Sequence, residues 1–386
     1  MSTLYKGISS LALTGESFGD IRVIEDAALA VDAGKVLFAG PIAKAPACAQ
    51  EIDLGGKAVI PGFVDSHSHL IFAGERSEEF ASRISGKPYA AGGIRTTVRA
   101  TRAASDAELK ANAEKLIAEF YASGITQFEI KSGYGLDVES EARSLKIASE
   151  LTPHTTFLGA HVVPEGVERA DYIKSVTGEM LQAVKPYAKW IDVFCDQGAF
   201  SVDETKEILQ AGIAAGLKPR LHANQIANLG AIPMAVELDC ASVDHATHLT
   251  AEDIAALSGS NTVVTLLPGA EFSTKSPYPD GRRLASAGLT LAIATDCNPG
   301  SSFTTSMPFC IAVAVREMGL TPEQALWAAT RGGARALRSE GGSLDVGSSA
   351  DFVVLDAPSH LFLSYRPGVQ LVSQTYIAGK RVFERQ

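Results

Sequence analysis

The stretch "PGFVDSHSHL", Pro61–Leu70, decides between two folds. An apolar run ends there in His67 and His69. Residues two apart on a strand face the same side, so both imidazoles can converge on one point. An open, doubly wound sheet would carry a glycine-rich phosphate turn after its first strand. That place holds "DSHSHL" instead, which favours the first strand of a closed barrel. Taken alone, H-x-H fits a metal claw or a polar strand terminus equally well.

Working outward, the middle of the chain alternates apolar strands with helices. "AELKANAEKLIAEFYASG" (107–124) puts Leu109, Ala113, Leu116, Ile117 and Phe120 on one helical face and stops at Gly124. "ITQFEIKSG", "TTFLGAH", "WIDVFCD", "KPRLHANQ", "CASVDHA", "NTVVTLLPG" and "LTLAIATDCNPG" read as the later strands, each followed by a helical pattern. Eight such pairs predict a (β/α)8 TIM barrel. Both chain ends are β-rich instead. "AALAVDAGKVLFAG" reads as two strands around an Ala-Gly turn, and "SADFVVLDA" and "VSQTYIAGKRVFE" are strand-like. The expected organisation is residues 1–57 and 341–386 forming one small β-sandwich domain, with the barrel over 58–340.

Chemistry in such a barrel sits at the carboxyl ends of its strands. Five of the eight histidines fall there: His67, His69, His161, His222 and His245. Asp296 ends the eighth strand after the apolar "LTLAIA", where a buried unpaired acid would be costly and a partner cation explains it. His67, His69, His222 and Asp296 form a three-nitrogen, one-oxygen set that suits one Zn or Fe ion with a position left for water. His161 and His245 are read as hydrogen-bond donors, with structural histidine or extra ligand as alternatives. Cys297 is a small buried residue rather than a nucleophile, since no separate base is evident for it.

Composition excludes other classes. The chain has 386 residues, 46% hydrophobic and 20% charged, which is globular. A net charge of −10 offers no basic footprint for nucleic acid. Five cysteines without a C-x-x-C pair give no disulfide framework. The start "MSTLYKGISSLALTG" has no signal-peptide pattern, and "MPFCIAVAV" is too short to cross a bilayer. A soluble cytoplasmic protein without membrane or nucleic-acid partners is expected.

H-x-H after strand one, His after five and six and Asp after eight, on a barrel flanked by a terminal sandwich, resemble the amidohydrolase superfamily over nearly the whole chain. Some members carry a metal-bridging lysine on strand four; here "WIDVFCDQG" has none, which implies one metal ion. "FAGERSEEFASRISG", "KSGYGLD", "FLGAH", "HANQ", "LLPGAEF" and "TDCNPGS" narrow the resemblance to a branch that opens a cyclic amide bearing a carboxylate. The resemblance implies metal ligation by His67, His69, His222 and Asp296. It implies substrate contacts at Arg76, Tyr89, Tyr134, His161, Gln225, Asn298, Gly300 and Ser301, with Arg76 on the carboxylate. It also implies a small-molecule substrate and a homodimer. Asp296 is the expected proton shuttle, with His245 or His161 stabilising the oxyanion. The rival readings are another cyclic amidohydrolase or deaminase of the superfamily, or a metal-binding barrel without activity.

Overall fold

The hairpin expected near the start is present. Strands β1 (Thr3–Thr14), β2 (Ile21–Asp32), β3 (Lys35–Pro41) and β4 (Gln50–Pro61) open the computed structural model, which describes residues 2–85 and 93–386. Ala33 and Gly34 join β2 to β3 with φ of 48° and 79°. Two left-handed residues give the turn twist that tight hairpins need.

The barrel strands follow: β5 (Phe63–Asp65), β6 (Ile125–Phe128), β7 (Ile130–Lys131), β8 (Thr155–Ala160), β9 (Trp190–Cys195), β10 (Lys218–Pro219), β11 (Leu221–Ala223), β12 (Ser242–His245), β13 (Val263–Leu266) and β14 (Leu291–Ile293). Strands two and five are each split in two, giving eight staves. All neighbouring pairs are parallel, as buried barrel strands with helical crossovers must be. Backbone bonds from Asp296 N–H to the His67 carbonyl (3.0 Å) and from His69 N–H to the Cys297 carbonyl (2.9 Å) close stave eight onto stave one. Asp65 seals the same seam. Its carboxylate accepts from the Thr295 amide at 3.1 Å and from the Thr295 hydroxyl at 2.5 Å.

One reading of the sequence is corrected here. "KAVIPGFVDSH" reads as a single strand, but residues up to Pro61 belong to the terminal sheet and the barrel starts at Phe63. The chain changes sheets at Gly62, where a Cβ would lie 2.2 Å from Thr126 Oγ1. Only a residue without a side chain lets the two backbones pass so closely.

The last strands, β15 (Phe352–Leu355), β16 (Val372–Ile377) and β17 (Lys380–Glu384), return to the N-terminal ones. The order is β17-β16-β15-β4-β1-β2-β3. Three strand spacings separate β16 from β1, ~14 Å in a flat sheet. Yet the Tyr5 and Tyr376 rings are 5.4 Å apart, and Tyr5 and Phe352 are 5.0 Å apart. The sheet therefore folds over and encloses its own core, which is how the sandwich arises from one hydrogen-bonded path.

Helices form where the sequence caps them. Ser105 with Glu108, Ser201 with Glu204, Thr250 with Asp253 and Thr321 with Gln324 make reciprocal capping boxes. The helix Asp106–Ser123 buries the five face residues named above and ends at Gly124, φ 92°. No helix among the described residues is long and apolar enough to cross a membrane.

Candidate active site

Strand parity decides what points into the barrel. Asp65, His67 and His69 share one side of stave one, Glu129 and Lys131 of stave two, Arg220 and His222 of stave five. All seven are buried, together with Asp192, Asp244 and Asp296. The predicted ligands meet at the carboxyl rim. His67 Nε2 and His69 Nε2 are 3.4 Å apart, and Asp296 Oδ1 lies 3.5 and 3.6 Å from them. Ligand atoms of His67, His69 and His222 all fall within 4.8 Å of one another. A tetrahedral ion with bonds of ~2.1 Å spaces its ligand atoms by ~3.4 Å. The donor set and its spacing fit such an ion.

Behind the histidines stand two carboxylates. His67 Nδ1–H donates to Asp244 Oδ2 at 2.8 Å, and His222 Nδ1–H donates to Asp192 Oδ2 at 2.9 Å. Each bond fixes the tautomer that leaves Nε2 with its lone pair toward the centre. Burial pushes His67 and His69 well below the usual imidazole range; Lys131 adds to this at His67 and His67 adds to it at His69. Both rings are therefore neutral and able to ligate. Burial raises Asp244 and Asp192 too, but Arg220 and His67 overcome it at Asp244, and His222 and Lys131 at Asp192, so both stay ionised. Asp296 goes the other way: burial holds its carboxyl well above the usual range, although Ser301 donates to its Oδ2 at 3.1 Å. A cation in the space it shares with His67 and His69 would reverse that shift.

The remaining predicted residues gather around this centre. His69, Tyr134, His161, Phe194, His222, Gln225, His245, Asp296, Asn298 and Ser301 line a cavity of ≈ 50 Å³. His161 Nδ1–H donates to the Gly133 carbonyl at 3.0 Å. His245 Nδ1 has no partner among the described residues. Burial lowers His161 to about 4 and His245 well below the imidazole range. Asn298 organises the loop after stave eight: its Oδ1 accepts from Gly300 N–H at 2.7 Å and Ser301 N–H at 2.9 Å. Arg76 stands outside the cavity lining but packs on Gly300, whose Cβ position is 2.2 Å from Arg76 Nη1. The Nε and Nη2 edge of that guanidinium grips Glu79 at 2.9 and 2.6 Å. Tyr89 lies outside the described residues. Cys297 is fully buried and burial pushes its thiol up, which agrees with a packing role.

Sequence reasoning missed the polar floor beneath the ligands: Glu129, Lys131, Asp192, Arg220 and Asp244. A signal for them exists. Each is a charged residue inside an otherwise apolar stave, and Glu129, Lys131 and Arg220 have the parity of the histidines or of each other. Four non-glycine residues at the rim hold left-handed backbone: Asn224 (φ 56°), His245 (φ 75°), Ala246 (φ 54°) and Asp296 (φ 50°). Such conformations cost ~1–3 kcal/mol each and cluster where geometry serves function.

The amidohydrolase family matches this chain over residues 58–382. The chain is 58% identical over 369 residues to an imidazolonepropionase of Mycolicibacterium smegmatis, covering 95% of this chain and 93% of that one. It is 55% identical over 399 residues to an imidazolonepropionase of Streptomyces avermitilis, covering 99% and 96%. Among solved structures, guanine deaminase from C. acetobutylicum superposes with a TM-score of 0.72 at 15% identity, covering 99% of this chain and 100% of that one. That likeness shows the fold.

Proposed function

We infer that this chain, a member of the amidohydrolase family and within it of the imidazolonepropionases, opens the ring of 4-imidazolone-5-propanoate with water to give N-formimidoyl-L-glutamate, a step of histidine degradation. Amidohydrolases are generally metal-dependent. One observation carries the reading here: Nε2 of His67, Nε2 of His69 and Oδ1 of Asp296 lie 3.4–3.6 Å from one another, with His222 beside them. A divalent ion held by these four residues, zinc or iron by the donor set, would polarise the ring carbonyl and lower the pKa of water from ~15.7 to about 7.

The protein's own groups supply the rest. Asp296 takes a proton from the attacking water and delivers it to the ring nitrogen as the C–N bond breaks. The Ser301 hydroxyl donates to its Oδ2 at 3.1 Å and orients the carboxylate. His161 and His245 divide their roles by tautomer. His161 commits its Nδ1–H to Gly133, so its neutral ring offers an acceptor to a substrate N–H. His245 has a ring nitrogen with no protein partner among the described residues and can donate to the oxyanion. Elsewhere one such donor is worth ~3 kcal/mol. Arg76, held by Glu79, is the residue that takes the propionate carboxylate. Tyr134, Gln225, Asn298 and Gly300 complete the substrate wall.

The test pairs elemental analysis of purified protein with an assay on freshly made imidazolone propionate. One equivalent of metal, loss of turnover on chelation and its return with zinc or iron are expected. Turnover that persists in fully demetallated protein ends the metal reading. Turnover of guanine or a hydantoin in place of imidazolone propionate ends the substrate reading. Homodimer formation and a cytoplasmic location belong to the same proposal, and sedimentation of the purified protein checks the dimer.

A further inference from the structure

Lys131 is a fully buried lysine at the end of stave two. Its Nζ lies 2.7 Å from Asp192 Oδ2, 3.1 Å from Glu129 Oε1 and 3.6 Å from Asp244 Oδ2. An ammonium has three donors. Here three carboxylates surround it, from staves two, four and six. Two of those oxygens are the ones that receive the ring protons of His222 and His67. Ligand atoms of Asp192, His222 and Asp244 also converge within 4.8 Å, a second group with the composition of a cation site.

We propose that Lys131 is a positioning residue that stands where a second metal ion would: its ammonium ties Asp192 to Asp244, aims His222 and His67 through them, and limits the centre to one ion. The inference rests on the metal reading above. The alternative is an ordinary buried ion pair that only helps the fold. Two features weigh against it. Arg220 already serves Asp244 at 3.2 Å and Glu129 at 3.5 Å, so those two carboxylates do not need Lys131 for neutralisation. Asp192 is different. Among the described residues, Lys131 is the one lysine or arginine within 4 Å of it, and Asp192 also takes the His222 amide at 3.0 Å. Among the described residues, Lys131 is therefore the one lysine or arginine within 4 Å of both ligand supports.

The experiment titrates metal-free wild type and Lys131→Met with Zn²⁺ against a chromophoric chelator, and reads kcat and KM across the zinc series. Wild type should bind one tight equivalent. Lys131→Met should bind it 10–100-fold more weakly, the usual effect of disturbing a ligand's support. At saturating zinc its kcat should fall more than its KM rises, which a purely structural ion pair would not produce. Unchanged zinc affinity in Lys131→Met overturns the inference while leaving the metal reading intact. Two tight equivalents in wild type overturn it as well, and that measurement stands even if the variant does not fold. Wild type that binds no zinc yet turns over substrate overturns the metal reading, and the inference with it.

Discussion

The floor and the rim of the site are built by opposite means. On the floor, charged side chains of the staves meet one another: Asp244 with His67 and Arg220, Asp192 with His222 and Lys131. On the rim, single side chains gather backbone amides of a loop. Glu141 accepts from Gly133, Gly135 and Leu136 at 3.1, 2.8 and 2.8 Å, and so shapes the turn that carries Tyr134. Asp196 accepts from Gln225, Ile226 and Ala227 at 2.7, 2.9 and 3.0 Å. Asn298 does the same for its own loop. Staves fix distances that a coordination sphere needs. Loops pinned to one buried acceptor fix the shape of the wall that meets the substrate. Floor changes should therefore act on metal affinity and kcat, and rim changes on KM.

The largest effect is expected from Asp296→Asn, a rim residue set apart from the others because it is itself the proposed proton shuttle and a proposed metal ligand. We expect kcat to fall by about 10²–10⁴-fold; near-normal turnover would take Asp296 out of proton transfer. Next is the floor variant Asp244→Asn, expected to weaken zinc by about 10–100-fold in chelator competition with little change in KM. On the rim, Glu141→Ala leaves three amides without their acceptor, at ~1–3 kcal/mol for each that stays dry. A KM raised about tenfold with unaltered zinc affinity is the expected signature, whereas equal loss of both would show that rim and floor are not separable. Arg76→Lys gives up the planar fork and should raise KM several-fold at constant kcat. An unchanged KM would place the carboxylate elsewhere.

The mildest test concerns a carboxyl that lacks the floor's cations. Glu271, in the helix Pro268–Thr274, accepts from the Thr247 hydroxyl at 2.9 Å, and its Oε2 has no partner among the described residues. Burial pushes it from 4.5 up to about 8. The folded state thus keeps this proton longer than the unfolded state does. Its effect on stability is absent below about pH 4.5 and grows more unfavourable as pH rises to about 8. Glu271→Gln should gain in melting temperature relative to wild type between pH 5 and pH 8.5. The same difference at both pH values would mean that the group does not titrate there.

The barrel was legible because most staves are short apolar runs and several of the helices between them carry their own caps. His67, His69, His222 and Asp296 were legible because they interrupt such runs at the ends. The floor was not, although its residues interrupt the same runs. Lys131 precedes "SGYG" at the end of its strand, and Asp192 sits inside "WIDVFC"; neither forms a recognisable motif with its sequence neighbours. Their meaning appears only when six staves come into register and three carboxylates surround one ammonium. The split at Gly62 was hidden for a related reason. Both halves of "KAVIPGFVDSH" are good strand, and only the approach of Thr126 shows where one sheet ends.

The terminal sheet has a consequence for biosynthesis. β4 lies between β1 and β15, so one of its long edges must wait for a strand made 291 residues later, from Pro61 to Phe352. At ~5–20 residues per second that is roughly 15–60 s on the ribosome. Throughout that time the nascent chain shows an unpaired β edge next to a growing barrel. Chaperone capture during translation, and aggregation of prematurely terminated products, should both begin at this strand.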